Sequence, residues 1–550
     1  MSRARADVLV VGRIATLAGE AGLGWVEGLA IAAGRVVAAG ARSDVEELAG
    51  ARTRRIQLAP DEAALPGLTD AHLHLAEGGL AEDRLDLTGS ESLEAALAAI
   101  AGADRRLPGG AWLQGRGWDA DRWGGWPTAD LLDRAAPGRP AAIWAHDHHA
   151  LWVSRAALAA AGIHAGIADP PGGVIRRDAA GALTGILHET ATRLVTGRIP
   201  PVTIDDYERA IAALARRLVA LGDVAVHDPG GLSHQGGLGA AFAAYRRLAE
   251  RGALPVRVHA CVREEQLDAA IEAGLRSGDP VGPPGGRLTF GWLKLFADGT
   301  LGSRTAALLA RVESEPGRSL PPGTERGVWM TPPERLAQLA RRAADHGIAC
   351  QVHAIGDHAV RAALDALEPT VDRTALRPRV EHAQLVDPAD VDRFASTGIV
   401  ASVQPIHLRS DADAARRLWG ARAERNGYRW ASLVASGATV AFGTDAPVEP
   451  IDPWPGLEIA VTRRAASWGR DARPFGPREA VSLADALRAQ CCAGPASAGE
   501  PDRGRLAPGC RADLVVIPAA ALLEPVEVGG GLGTARPRLV LIDGEIAAAA

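Results

Sequence analysis

Lysine is almost absent from this chain. Lys and Arg together number 60 in 550 residues, and a single one of them, Lys294, is lysine. Arginine therefore supplies positive charge wherever charge alone is wanted. A lysine kept against that bias is a candidate for chemistry a guanidinium cannot do, because its amine can lose a proton and be used as a nucleophile or be modified. Cysteine is scarce too. Cys261, Cys350, Cys491, Cys492 and Cys510 are odd in number and lack the spacing of a metal site or a disulfide framework, so a reduced, cytoplasmic chain is expected. An excess of positive charge is missing, since 60 bases against 66 acids leave a net charge of −6. That excludes a general nucleic-acid binder, which needs cations to neutralise phosphates. No apolar run approaches the length of a membrane span, and nothing after residues 1–7 reads as a secretory signal.

What is present is a rhythm of short apolar runs, polar loops and helical patterns. Eight candidate strands fall at 64–72, 223–227, 256–261, 288–296, 348–353, 379–382, 399–403 and 439–443. Helical patterns follow most of them, as at 333–346, 359–367, 388–396 and 483–491. Alternation of this kind predicts parallel βαβ units, and eight units predict a closed (β/α)8 barrel in preference to an open doubly wound sheet. The two ends of the chain read differently. Runs at 7–18, 29–39, 513–517 and 538–542 are β-rich with glycine turns, and neither end can bury a sheet face alone. Pairing them gives a small β-sandwich domain from residues 1–60 and 500–550. The barrel then occupies 61–499. Residues 76–220 are too long for a βα loop and read as an inserted subdomain, with a helix at 93–100 and a hairpin about the 178–181 turn. Entering after the first barrel strand, the insertion is expected to cover the active-site mouth.

The strand ends carry the chemistry. The first strand ends in His72-Leu73-His74, and side chains two apart on an extended chain share a side, so both can face one ion. Lys294 lies on the fourth strand, His353 ends the fifth, Glu381-His382 the sixth, and Asp445 follows the eighth. Imidazole and carboxylate donors gathered around one barrel mouth suit zinc or a similar divalent ion.

These phrases resemble the metal-dependent amidohydrolase superfamily, and within it the YtcJ-like branch (amidohydrolase family 3) that includes N-substituted formamide deformylases. The matching runs are Pro66-Gly67-Leu68-Thr69-Asp70-Ala71-His72-Leu73-His74, KLFADGTLGSRT at 294–305, VHAIGD at 352–357, VEHAQ at 380–384 and GTDAPV at 443–448. The resemblance also takes in 172–190 and 509–513. It implies that His72 and His74 hold one metal ion, and that His353 and His382 hold a second or complete a single site. It implies that Lys294 is carboxylated by carbon dioxide and bridges as a carbamate. Asp445 would bind metal and serve as general base. The chemistry agrees, since a divalent ion brings the pKa of bound water down to about 7 and a carboxylate can pass the proton to a leaving amine. Arginine has no free amine to take up carbon dioxide, so the last lysine stands where arginine would fail. A histidine near the mouth could steady the oxyanion, and His227 at the tip of the second strand is the candidate.

Six of the thirteen tryptophans lie between 112 and 152: Trp112, Trp118, Trp123, Trp126, Trp144 and Trp152. They read either as the core of the insertion or as an aromatic wall selecting an apolar or aromatic amide. Trp118 lies in a glycine-rich phrase that also resembles the family, and the resemblance implies that Asp147 and His149 line the pocket; Glu189, Asp298, Ser303, Arg304 and Gln404 are further candidate pocket residues, each of which could equally be a satisfied loop residue. Around His146-Asp147-His148-His149 the sequence departs from the family phrase, at Ala145, His148, Ser154 and Arg155, so the substrate does not carry over. The expected function is hydrolysis of an amide or N-formyl carbon–nitrogen bond in a small molecule, with one or two divalent ions. A lactonase, deaminase or isomerase, a Schiff-base lyase acting through Lys294, and a non-catalytic binding protein stay open as alternatives, as does a homodimer as the assembly.

Overall fold

The computed structural model of the chain describes residues 5–549, leaving out 20, 83, 121, 146–149, 171–172, 232–236, 303, 313–324 and 470. Two compact units result, residues 1–78 with 204–550 and residues 79–203.

The first unit contains a parallel eight-stranded barrel. Its strands are Leu68–Asp70 (β1), Asp223–Asp228 (β2), Arg257–Arg263 (β3), Leu288–Phe296 (β4), Cys350–Ala354 (β5), Arg379–His382 (β6), Val400–Val403 (β7) and Val440–Phe442 (β8), in sequential order around the sheet. Helices cover one side of each strand and the barrel interior the other, so the strands are buried at almost every position. The seam between β8 and β1 is closed by the Ala71 amide, which donates to the Phe442 carbonyl at 2.9 Å, and by the Asp445 amide on the His72 carbonyl at 2.7 Å. Gly443 permits that closure, because a Cβ there would lie 2.5 Å from the His72 nitrogen. The outer helices carry one apolar stripe each. On Ile204–Leu221 it is Ala210, Ile211, Leu214, Ala215, Leu218 and Val219. On Pro388–Thr397 the Asp387 side chain caps the start, and Gly398, at φ +75°, ends it.

The first strand is shorter than expected. The run at 64–72 breaks at Gly67, where Glu62–Pro66 belongs to a second sheet and β1 begins afresh. A Cβ at Gly67 would sit 2.5 Å from Val224 Cγ1, so the chain passes from one sheet to the other through a gap no larger residue fits. That second sheet is mixed, eight-stranded and made from both ends of the chain. Leu514–Pro518 runs antiparallel to Glu62–Pro66, and Val8–Ala15 pairs with Trp25–Ala32. It encloses Val10, Ile14, Leu29, Ile31, Leu514, Val516 and Leu541.

The second unit, 79–203, has its own six-stranded sheet, including the antiparallel hairpin Gly173–Arg177 with Leu183–Glu189, and its own core. The helix Ile204–Leu221 belongs with the barrel. All five cysteines are free, and no described helix is long and apolar enough to cross a membrane.

Candidate metal centre

His72, His74, Lys294, His353, His382 and Asp445 come from five strand ends and line one cavity of about 700 Å3. Two of them get there by leaving ordinary strand geometry. On β6 the alternation points Arg379 and Glu381 into the barrel and should point His382 outward. His382 instead has φ +73°, which turns its side chain back toward the cavity. Asp445 has φ +58° in the loop after β8. Left-handed backbone at non-glycine residues costs about 1–3 kcal/mol each, and it gathers at functional sites.

Three imidazoles are oriented by acceptors behind them. His72 Nδ1–H donates to Glu381 Oε2 at 2.5 Å, His382 Nδ1–H to Gln404 Oε1 at 2.8 Å, and His353 Nε2–H to the Gly299 carbonyl at 3.0 Å. Each ring therefore keeps its other nitrogen as a lone pair, the arrangement in which metal-binding histidines are held. Burial keeps all three neutral, taking His72 to about 4 and His353 to about 3, and His382 well below the usual imidazole value. Asp445 Oδ1 lies 3.2 Å from His74 Nε2 and 3.5 Å from His72 Nε2, while Oδ2 lies 3.3 Å from His407 Nε2.

Lys294 is 2% exposed, and its Nζ has no hydrogen-bond partner among the described residues. Burial lowers its pKa to about 8. An unsatisfied buried amine beside oriented imidazoles and a carboxylate is a site short of one component. Nitrogen and oxygen donors of this kind fit a divalent ion.

The sequence reading missed the support behind these ligands. Glu381 is fully buried between His72 and Arg379, whose Nε lies 2.9 Å from Glu381 Oε1. Burial alone would raise this carboxyl, but Arg379 and His72 outweigh it and hold it at about 2. His407, after β7, also reaches the cavity, and His382, His407 and Asp445 form a second group of close donor atoms. The sequence signal available for it was a strand end that lacked a polar tip in the count of ligands. Arg379 and Glu381 were legible as alternating charged residues inside a barrel strand, which something must neutralise.

Other candidates fall elsewhere. His227, expected near the oxyanion, lies away from the cavity lining. It is buried against Trp292 and His259, its Nδ1 accepts from Arg379 NH1 at 2.8 Å, and it is not among the residues lining the cavity. Asp298 anchors a loop by accepting the amides of Ala307, Ile355 and Gly356 at 2.8–3.0 Å, and burial raises it to about 7. Gln404 orients His382. Trp118 is buried in the core of the second unit, its indole donating to the Ile143 carbonyl. Trp152 shares that core, so these two large rings serve packing. Arg304, at φ +59° in the loop after β4, does not line the cavity. Asp147, His149, Ser303 and the Glu189 side chain lie outside the described residues.

Residues 59–548 match a family described as the amidohydrolase family. The chain is 33% identical to the putative amidohydrolase YtcJ of Bacillus subtilis over 458 residues, 82% of this chain and 83% of that one. It is 26% identical to the N-substituted formamide deformylase of Arthrobacter pascens over 518 residues, 91% of each. The crystal structure of an uncharacterized metal-dependent hydrolase from Pyrococcus furiosus is similar with a TM-score of 0.74 and 28% identity, covering 93% of this chain and 98% of that one.

Proposed function

The chain belongs to the amidohydrolase family and is a hydrolytic enzyme, and from that premise we propose that it cleaves a carbon–nitrogen bond of the amide or N-formyl kind. In this reading His72, His74, His353, His382 and Asp445 hold one or two divalent ions, zinc by the donor set. Lys294 joins them after its amine adds carbon dioxide and loses a proton. The observation that carries the reading is the Lys294 Nζ, buried and unsatisfied among those donors. A carbamate there would exchange an orphaned amine for two acceptor oxygens.

A divalent ion held by these residues would supply Lewis acidity toward water and the scissile carbonyl. The rest is the work of the chain. Asp445 accepts the proton of the attacking water on the side of His72 and His74, and returns it to the amine nitrogen as the carbon–nitrogen bond breaks. Glu381 and Gln404 keep His72 and His382 facing inward. The substrate is proposed to be a small apolar amide, because Leu295, Phe296, Leu301, Met330, Ile355 and Val448 line the same cavity.

The test is metal analysis of purified protein, followed by a hydrolysis screen of N-formyl amines, anilides, cyclic amides and lactones. One to two divalent ions per chain and cleavage of an amide or formamide are expected. Activity in metal-free protein would overturn the reading, and cleavage confined to lactones would move it to another reaction type.

A further inference from the structure

We infer that His407 is the positioning residue of Asp445, the donor that fixes which carboxylate oxygen acts as base. The inference rests on the reading of Asp445 as general base given above.

The backbone settles where Asp445 sits, since its amide is tied to the His72 carbonyl and its own carbonyl accepts from the Val448 amide at 2.9 Å. Nothing in that anchoring settles the rotation of the carboxylate. Its two oxygens have different surroundings. Oδ1 faces His72 and His74, while Oδ2 faces His407 Nε2 at 3.3 Å and His382 Nδ1 at 4.0 Å. His382 Nδ1–H is already given to Gln404. His407 is therefore the ring in a position to hold Oδ2.

The tautomer of His407 follows from its other side. Gln384 Nε2, an amide nitrogen with two hydrogens and no lone pair, lies 3.2 Å from His407 Nδ1 and 2.9 Å from Asp411 Oδ2. Turning that amide round would set its oxygen against the Asp411 oxygen, which already accepts from the Tyr428 hydroxyl at 3.0 Å. His407 Nδ1 is thus an acceptor, and its ring proton is on Nε2. That nitrogen lies 3.3 Å from Asp445 Oδ2, the carboxylate within its reach, and no other acceptor among the described residues claims it. The ring is buried and lies stacked with His382, with centroids 5.9 Å apart and planes 13° apart, so it cannot swing freely. A donor nitrogen held beside Oδ2 sets the rotation of the carboxylate and leaves Oδ1, on the side of His72 and His74, to take the proton from water. The same tautomer argues against His407 as a metal ligand, because its lone pair is turned away from the cavity.

His407→Phe in the metal-loaded full chain is expected to lower kcat about 10–100-fold, the range for residues that orient a metal site's working groups, with KM unchanged. Metal content should stay at the wild-type level, and the acid limb of the pH–rate profile should move to higher pH. His407→Gln should recover part of the loss through its amide N–H. Gln384→Leu, which frees the His407 tautomer, should act in the same direction with a smaller effect, and it carries the test if His407→Phe does not fold. Protein loaded with cobalt(II) gives a readout without substrate: its visible bands should keep their positions in the variants while their pH inflection rises. Metal loss alongside activity, a raised KM at constant kcat, or an unmoved pH profile and inflection would overturn the inference. A wild-type enzyme that cleaves no amide would instead sink the functional reading, and the cobalt inflection would still decide the role of His407.

Discussion

His353 and His382, at the ends of β5 and β6, turn toward the cavity, whereas His227 on β2 and His259 on β3 are register partners whose rings meet edge to face, 4.6 Å apart, beside Trp292. Both pairs are buried imidazoles inside one barrel. In the first pair an acceptor holds one ring nitrogen and the other keeps its lone pair. In the second pair the Arg379 guanidinium has already taken the His227 lone pair, and His259, with no hydrogen-bond partner among the described residues, lies 3.8 Å from the Glu500 carboxylate through Nε2. A cation seated against an imidazole excludes a metal from the same place. The layers follow from strand parity, since Trp292 and Lys294 share one face of β4 two residues apart and so address successive levels of the barrel interior. The type and burial of a residue therefore do not make a ligand. The partner of its second nitrogen does.

The largest expected contrast between the two levels is between Lys294→Ala and His227→Ala. The first should release metal and reduce hydrolysis on the order of a thousandfold, with part of the activity restored by a short carboxylic acid standing in for the carbamate. Borohydride trapping of substrate on Lys294 would point to a lyase instead. His227→Ala should keep its metal and lose about 2–4 kcal/mol of stability through the cavity it leaves. Metal loss in that variant, read by elemental analysis, would erase the distinction. Next in size, Glu381→Gln weakens the acceptor behind His72 and should reduce metal affinity about 10–100-fold in a chelator competition.

His259→Leu should leave metal and activity intact and alter the response to acid. Burial takes His259 down to about 4 from the usual 6.5. Between those values the unfolded chain binds a proton that the fold does not, so stability is present above about pH 6.5 and is lost as the pH falls toward 4. Denaturant unfolding at pH 7 and pH 5 should show a smaller loss in His259→Leu than in wild type. The smallest effect is expected from Trp118→Phe in the second unit, about 1 kcal/mol of stability with substrate preference unchanged. A changed preference would return Trp118 to the pocket.

Much of this was legible in the chain of letters. Seven of the eight barrel strands appear where the apolar runs lie, because strands buried on both faces must be apolar nearly throughout. The six proposed ligand positions share one cavity because each sits at a strand end. The supporting residues were not legible. Glu381 and Arg379 gain meaning through His72, some 300 positions away, and His407 gains it through a carboxylate from the neighbouring strand. His227 shows the reverse, a histidine at a strand tip that register pairs with His259 and Arg379 claims.

Composition and spacing by themselves determined the class of fold and singled out Lys294 as the one lysine, and the motif phrases carried the resemblance to the family, because hydrophobic periodicity and the chemistry of a side chain are properties of the chain. Which nitrogen of each imidazole has an acceptor behind it, what each oxygen of Asp445 faces, and which histidines line the cavity were decided by the tertiary structure. Those are properties of pairs of residues, and the barrel brings such pairs within hydrogen-bonding distance from opposite ends of the sequence.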